Sequence, residues 1–125
     1  MGNYFQKEIE CASADQIRAW QSERLVKQVK NIYDNVPYYR TRMQNKGLEP
    51  GDIKSIDDLH KLPFITKDDL RDAYPYGLLA RPLKDCVRMQ STSGTTGRRV
   101  VAFYTQHDLD LWEDCCARAI VAAGG

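Results

Sequence analysis

The stretch Ser91-Thr92-Ser93-Gly94-Thr95-Thr96-Gly97-Arg98 separates two short apolar segments of the chain. The segment before it reads Cys86-Val87-Arg88-Met89-Gln90, and the segment after it begins Val100-Val101-Ala102-Phe103-Tyr104. Runs of β-branched, aromatic and other apolar residues that are bounded by turn-forming residues are typical of β-strands. The sequence therefore predicts two strands joined by a hairpin-like corner, with the quoted stretch as the connecting loop.

This loop combines several groups that bind phosphate. Gly94 and Gly97 permit positive φ angles and a close approach of the backbone to a ligand, and successive N–H groups can then form an anion-binding nest. Hydroxyl side chains add further donors, and a guanidinium can hold phosphate oxygens in a bidentate fork. The loop is predicted to be a polyphosphate cradle, with site residues Ser91, Thr92, Ser93, Gly94, Thr95, Thr96, Gly97 and Arg98.

The loop differs from a Walker A motif, which places four residues between its glycines and then opens a helix with Gly-Lys-Ser/Thr. Here two residues separate Gly94 from Gly97, and β-branched Val100 and Val101 follow. A surface turn rich in serine, threonine and glycine is the alternative interpretation, because loops are enriched in these residues for local reasons.

The loop and its surroundings resemble a known family. Residues 92–97 are similar to the phosphate-loop signature of the adenylate-forming superfamily, which includes acyl–CoA ligases, luciferases and the adenylation domains of peptide synthetases. Further stretches are similar to the N-terminal region of phenylacetate–CoA ligases, and the resemblance runs from about Ile17 to the end. These stretches are Val36-Pro37-Tyr38-Tyr39-Arg40, Leu62-Pro63-Phe64-Ile65-Thr66-Lys67-Asp68-Asp69-Leu70-Arg71 and Tyr74-Pro75-Tyr76-Gly77-Leu78.

The resemblance implies an ATP-dependent, AMP-forming aryl-acid–CoA ligase of aromatic-acid metabolism, such as phenylacetate catabolism. Phenylacetate would react with ATP to give an acyl-adenylate and pyrophosphate, and coenzyme A would then displace AMP. By this resemblance residues 92–96 would hold the β- and γ-phosphates of ATP, Mg²⁺ would accompany the nucleotide, and Arg98 would neutralise the departing pyrophosphate. The superfamily loop usually continues with lysine and proline, whereas this chain has Arg98 and Arg99.

The resemblance also implies an incomplete enzyme, because ligases of this family are several times longer than 125 residues. Their adenine-contacting motif, ribose-binding aspartate and catalytic lysine would lie beyond Gly125, so no catalytic residue is nominated and the chain alone is expected to be inactive. A hairpin followed by a helix likewise looks like the opening of a larger α/β domain. Two alternatives stay open: an adenylate-forming enzyme with another acceptor, and a non-catalytic remnant or binding module.

The fold class predicted for residues 1–125 is α/β, with an N-terminal helical segment followed by the first strand, phosphate loop, strand and helix of an adenylate-forming large domain. Helix starts are marked by capping residues, and glycine or proline marks several helix ends. The predicted starts are Ser13 with Gln16, Tyr38, Ser55 with Asp58, Thr66 with Asp69, and Thr105 with Asp108, and the predicted ends include Pro37, Gly47 and Pro75.

Composition and charge limit the classes of partner that the protein is expected to bind. Eighteen basic residues against seventeen acidic ones give a net charge of +1, which offers no electrostatic case for nucleic acid or an anionic membrane. The sequence shows neither a secretory leader nor an apolar run long enough for a membrane span, so a cytoplasmic enzyme acting on a small aromatic acid is expected. The resemblance leaves a homodimer of the full-length enzyme open.

Other reactive side chains are interpreted as structural. Adjacent Asp68 and Asp69 would occupy the first turn of a helix, where negative charge is favourable, and His60 is interpreted as a surface or capping residue. The Tyr38-Tyr39-Arg40 cluster could touch an aromatic substrate, but packing is favoured. The four cysteines lack the spacing of a metal site and are predicted to be reduced thiols of the core without zinc, namely Cys11, Cys86, Cys115 and Cys116.

Overall fold

The computed structural model describes residues 3–94, 97 and 99–125, which form helices, connecting turns and loops, and a two-stranded sheet. The α-helices are α1 (Lys7–Glu10), α2 (Ala14–Asn35), α3 (Pro37–Asn45), α4 (Lys67–Asp72) and α5 (Gln106–Ala122). The strands are β1 (Cys86–Ser91) and β2 (Val101–Thr105). Short 3₁₀ helices cover Pro50–Asp52, Ile56–Lys61 and Leu83–Asp85. This mixed architecture agrees with the predicted helical segment followed by strand, loop, strand and helix.

The long helix α2 begins and ends where its sequence signals predict. The Gln16 N–H donates to Ser13 Oγ over 3.2 Å, and the Ser13 N–H donates to Gln16 Oε1 over 3.0 Å, which completes the capping box. Val36 is extended, with φ −119° and ψ 95°, because the ring of Pro37 disfavours the helical conformation in the preceding residue. Pro37 then occupies the first turn of α3, where its missing N–H costs no helical hydrogen bond.

The remaining capping signals are also found in the structure, with one difference in helix type. Thr66 caps α4 and Thr105 caps α5, each through a reciprocal box with the aspartate three residues later. Ser55 forms the same box with Asp58, but the six residues that follow are a 3₁₀ helix, a form common in short connectors. The one-turn helix α1 was not predicted, and its Gln6 N–H donates to Glu10 Oε1 over 2.7 Å.

The buried core lies among the N-terminal helices. Of the described residues, only Val29 and Val36 around α2, Met43 on α3 and Ile53 are buried. Val29, Met43 and Ile53 contact one another and are flanked by the partly buried Leu25, Tyr33, Leu48 and Leu62. The first half of the chain therefore supplies the core.

The two strands form the predicted antiparallel hairpin. Ser91 pairs with Val101 at the loop end, Met89 pairs with Phe103 farther along, and an irregularity lies between Cys86 and Arg88. Aromatic pairs attach β2 to its neighbours, because Phe103 stacks on Tyr76 with 5.6 Å between ring centroids and Tyr104 stacks on Trp112 of α5 with 5.7 Å. Within the described residues, helix length and hydropathy reveal no segment that could span a membrane.

Candidate phosphate-binding loop

The loop between β1 and β2 is closed at its base by Thr92 and Val100. The Thr92 N–H donates to the Val100 carbonyl over 3.0 Å, and the Val100 N–H donates to Thr92 Oγ1 over 3.1 Å. The Thr92 hydroxyl therefore serves the fold as an acceptor, and its own O–H can still donate to a ligand. This closure extends the hairpin by one residue pair beyond the ladder, and it fixes where the loop begins and ends.

Both loop glycines adopt conformations that a side chain would disfavour. Gly94 has φ +71° and Gly97 has φ +135°, in the range that glycine reaches without steric cost. The Gly97 N–H donates to the Gly94 carbonyl over 3.3 Å, so a backbone hydrogen bond joins the two glycines. The predicted need for glycine at these positions agrees with the structure.

The predicted site residues fall into two groups. Ser91, Thr92, Ser93 and Gly97 are exposed and Gly94 is half-buried, so the structure brings these five together at an accessible end of the hairpin. The predicted phosphate contacts of Thr95, Thr96 and Arg98 lie outside the described residues. The phosphate-binding role of all these site residues is addressed below as part of the proposed function.

Arg99 is a feature of the loop that sequence reasoning did not assign to the site. A Cβ atom built on Gly94 would lie 2.7 Å from Arg99 Cγ and 3.4 Å from Arg99 Nε. The arginine side chain thus lies across the face of Gly94 that has no side chain. Contacts between residues five apart in an irregular loop follow no sequence periodicity, so no pattern predicts the contact of Arg99 with Gly94.

Asp69 has a structural role, as predicted for the Asp68-Asp69 pair. Its carboxylate accepts hydrogen bonds from Tyr38 Oη over 2.5 Å, from Arg42 Nη2 over 2.5 Å and from the Thr66 N–H over 2.6 Å. The Tyr38 hydroxyl, then the Thr66 donors and the Arg42 charge, lower the pKa of Asp69 to about 2. A carboxylate held ionised by so many donors ties α3 to α4 and is a poor general base.

The aromatic cluster that begins α3 also packs within the fold. The guanidinium of Arg42 lies 4.9 Å from the ring centroid of Tyr38, and the hydrogen bond to Asp69 raises the pKa of Tyr38. Arg40 donates through Nε to the Tyr33 carbonyl over 2.7 Å, so it satisfies a free carbonyl at the end of α2. These contacts agree with the packing role predicted for the Tyr38-Tyr39-Arg40 cluster.

Histidine and cysteine side chains form no second site in the described part of the chain. His60 Nδ1 lies 2.8 Å from the Asp57 carbonyl, in the local capping role predicted for it. All four cysteines are free thiols, but the prediction that they belong to the core is wrong, because Cys11, Cys115 and Cys116 are exposed and Cys86 is half-buried. Within residues 3–94, 97 and 99–125, no group of three or more His, Cys, Asp or Glu side chains could hold a metal ion.

A cavity of about 770 Å³ lies between α2, the segment after α4, β2 and the start of α5. None of the described residues of the candidate phosphate-binding loop lines this cavity. The sequence did not predict this cavity, since its walls come from parts of the chain that are distant in sequence. The lining includes Asn31, Tyr74, Arg81, Phe103 and His107.

Comparison with solved structures gives the class of protein. The chain superimposes on 2-hydroxyisobutyryl-CoA ligase, solved with 2-HIB-AMP and CoA in the thioesterification state, with a TM-score of 0.84 and 25% identity. The match covers 94% of this chain and 26% of that ligase. A second structure of that ligase, in the postadenylation state, matches with a TM-score of 0.80 and 22% identity. The fold is therefore a part of the adenylate-forming CoA ligase fold, as predicted.

Comparison of sequences gives relatives of one kind, the phenylacetate-coenzyme A ligases. The chain is a homologue of the N-terminal part of phenylacetate-coenzyme A ligases, as the resemblance predicted. It is 49% identical over 117 residues to the enzyme of Pseudomonas putida, 45% identical over 117 residues to that of Escherichia coli and 40% identical over 120 residues to that of Thermus thermophilus. No protein-family model matches the chain. The alignments cover at least 94% of this chain, but the chain spans about 27% of the length of these relatives.

Proposed function

We propose that residues 1–125 are the N-terminal part of an ATP-dependent, AMP-forming aryl-acid–CoA ligase. In the proposed reaction, phenylacetate, ATP and CoA give phenylacetyl-CoA, AMP and pyrophosphate. One observation carries the proposal: 49% identity to a phenylacetate-coenzyme A ligase over 117 of 125 residues, an alignment long enough to include the whole hairpin loop. Aromatic-acid catabolism in the cytoplasm is the setting that this activity implies.

The proposed task of the loop is to hold the β- and γ-phosphates of ATP. A carboxylate oxygen of the acid attacks the α-phosphorus, the bond between the α-phosphorus and its bridging oxygen breaks, and pyrophosphate leaves. Such phosphoryl chemistry is catalysed largely by positioning and by neutralising charge. Backbone N–H groups and hydroxyls of residues 92–96 would orient the phosphates, and Arg98 would stabilise the departing pyrophosphate.

The second half-reaction uses none of the residues assigned here. The CoA thiolate attacks the carbonyl carbon of the acyl-adenylate, and AMP leaves with the bonding electrons. Mg²⁺ is proposed to arrive with the nucleotide, and its protein ligands are not assigned, because the described residues offer no cluster of metal-binding side chains. The chain's proposed contribution is therefore confined to the triphosphate in the adenylation step.

A chimera tests this proposal. This chain replaces the matching residues of the Pseudomonas putida phenylacetate-coenzyme A ligase, and phenylacetate-dependent exchange of labelled pyrophosphate into ATP is measured. We expect exchange by the chimera and none by the 125-residue chain alone. Arg98→Ala should lower the exchange roughly 100-fold or more, as loss of a group that stabilises transition-state charge does.

Arg88→Ala is the matched control, because Arg88 is exposed on β1 of the same hairpin. It removes the same charge outside the loop and should leave exchange almost unchanged. A folded chimera without exchange would contradict the proposed function. Equal exchange by the Arg98→Ala and Arg88→Ala chimeras would contradict the role of Arg98.

A further inference from the structure

The side chain of Arg99 lies against Gly94 in the candidate phosphate-binding loop. Its Cγ lies 2.7 Å from the position that a Cβ of Gly94 would occupy, and its Nε lies 3.4 Å from the same point. Gly94 is thus required twice, once by its φ of +71° and once by the arginine that crosses it. The aliphatic part of Arg99 therefore covers Gly94, while the residue as a whole is exposed.

The base of the loop fixes the root of this side chain. Val100 follows Arg99 directly, and two hydrogen bonds join Val100 to Thr92, of 3.0 and 3.1 Å. Arg99 therefore starts one residue from an anchored point. The Thr92–Val100 pair thus gives the base of the loop its rigidity, and Arg99 supplies a charge beside it.

Among the described residues, no acidic side chain forms an ion pair with Arg99. The ion pairs recorded within that part of the chain all involve other residues. The next residue toward the N-terminus is Arg98, so two guanidinium groups occur consecutively in the loop. Adjacent like charges are unfavourable in solution, and a bound polyphosphate anion relieves that cost.

We infer that Arg99 is a second phosphate-binding cation of this loop, which takes the polyphosphate of ATP or pyrophosphate together with Arg98. This inference rests on the proposed function and deepens it. It assigns a ligand contact to a residue that the sequence prediction of the site left out.

The test uses steady-state kinetics of the chimera. Arg99→Ala should raise the KM for ATP roughly tenfold, the usual cost of one charge-assisted hydrogen bond, and leave the KM for phenylacetate unchanged. Arg99→Lys should recover part of the loss, because lysine keeps the charge without the bidentate fork. Arg88→Ala is the control and should change neither KM.

Two results would overturn the inference. One is an active chimera in which Arg99→Ala changes the KM for ATP by less than about twofold. The other is a result of a binding measurement, which is needed if the chimera folds but lacks exchange and so contradicts the proposed function. Binding of inorganic tripolyphosphate to the 125-residue chain then decides: weaker binding by Arg99→Ala than by Arg88→Ala supports the contact, and no binding, or equal binding by both, contradicts it.

Discussion

The helical region, residues 13–72, and the hairpin region, residues 86–122, are stabilised in different ways. The four side chains that are buried among the described residues all lie in the helical region, and none of the described residues of the hairpin region is buried. Met43 is 0% exposed on α3, whereas Met89 is 64% exposed on β1. The two regions share the same kind of helix caps, so the difference is in tertiary packing and not in local signals.

This difference agrees with the proposed function, in which the two regions have different roles. The helical region has its own core, and side-chain bonds such as those of Asp69 tie its helices together. The hairpin region carries the candidate phosphate-binding loop and presents apolar residues to solvent, including Val87 and Met89. On the proposed function, residues of a longer ligase would cover that face.

The largest expected effect contrasts the two methionines. Met43→Ala should lower the free energy of unfolding of the chain by about 2–5 kcal/mol, because it leaves a cavity in a close-packed core. Met89→Ala should change it by no more than about 0.5 kcal/mol, as an exposed substitution does. Urea unfolding followed by circular dichroism measures both. Similar losses of stability for the two variants would contradict the difference in packing between the two regions.

The next effect contrasts two glycines with similar φ angles, Gly47 at +68° and Gly94 at +71°. Gly47→Ala should cost about 1–2 kcal/mol from backbone strain alone, because nothing lies within 4 Å of the added Cβ. Gly94→Ala adds an overlap with Arg99 and should cost more. In an Arg99→Ala background the cost of Gly94→Ala should fall toward that of Gly47→Ala, and thermal unfolding measures each variant. An unchanged cost would contradict the position of the arginine.

A smaller effect tests what the two regions share. Thr66→Ala and Thr105→Ala each remove the cap of a Thr-x-x-Asp box, and each should cost about 1 kcal/mol. Thr→Ser at the same positions keeps the hydroxyl and should cost much less. Equal stability of the serine and alanine variants, measured by urea unfolding, would show that the caps contribute nothing.

The last prediction, with the smallest effect at neutral pH, concerns the loss of folding stability in acid. The folded pKa of Asp69 is about 2, below its ordinary 3.8, and that of Asp58 is also about 2 through Lys61 and the Lys54 N–H. As the pH falls, the unfolded chain binds protons at these two carboxylates before the folded chain does. The stability that ionised Asp69 and Asp58 provide is therefore present above pH 4 and is lost as the pH falls toward 2. Unfolding midpoints should therefore drop across this window. Asp69→Asn should flatten the drop, and an equally steep drop in that variant would contradict the role of its hydrogen bonds.

Sequence reasoning predicted the features whose causes are local. Ser13 with Gln16 and Thr105 with Asp108 are three residues apart, so the capping boxes could be read directly. Pro37 and Gly47 mark helix ends through their own backbone preferences. In the loop, Gly94 and Gly97 were predicted for the same reason. The one-turn helix α1 gave no such signal, and short 3₁₀ helices have a weak pattern of their own.

The features that sequence reasoning missed depend on contacts distant along the chain or irregular in spacing. Asp69 meets Tyr38, 31 residues away, and Arg42, 27 residues away, and no periodicity encodes such a meeting. The cavity between α2 and β2 is likewise formed only after folding. Arg99 was close to the predicted site, but its side-chain direction depends on the loop backbone rather than on composition.

We propose that the helical region folds by itself and that the rest of a ligase completes the hairpin region. Native-state amide hydrogen exchange, compared between the 125-residue chain and the chimera, tests it most directly. We predict that the amides of α2 and α3 are protected in both proteins, and that those of β1, β2 and α5 become strongly protected only in the chimera. Equal protection of both regions in the 125-residue chain, unchanged in the chimera, would contradict the claim.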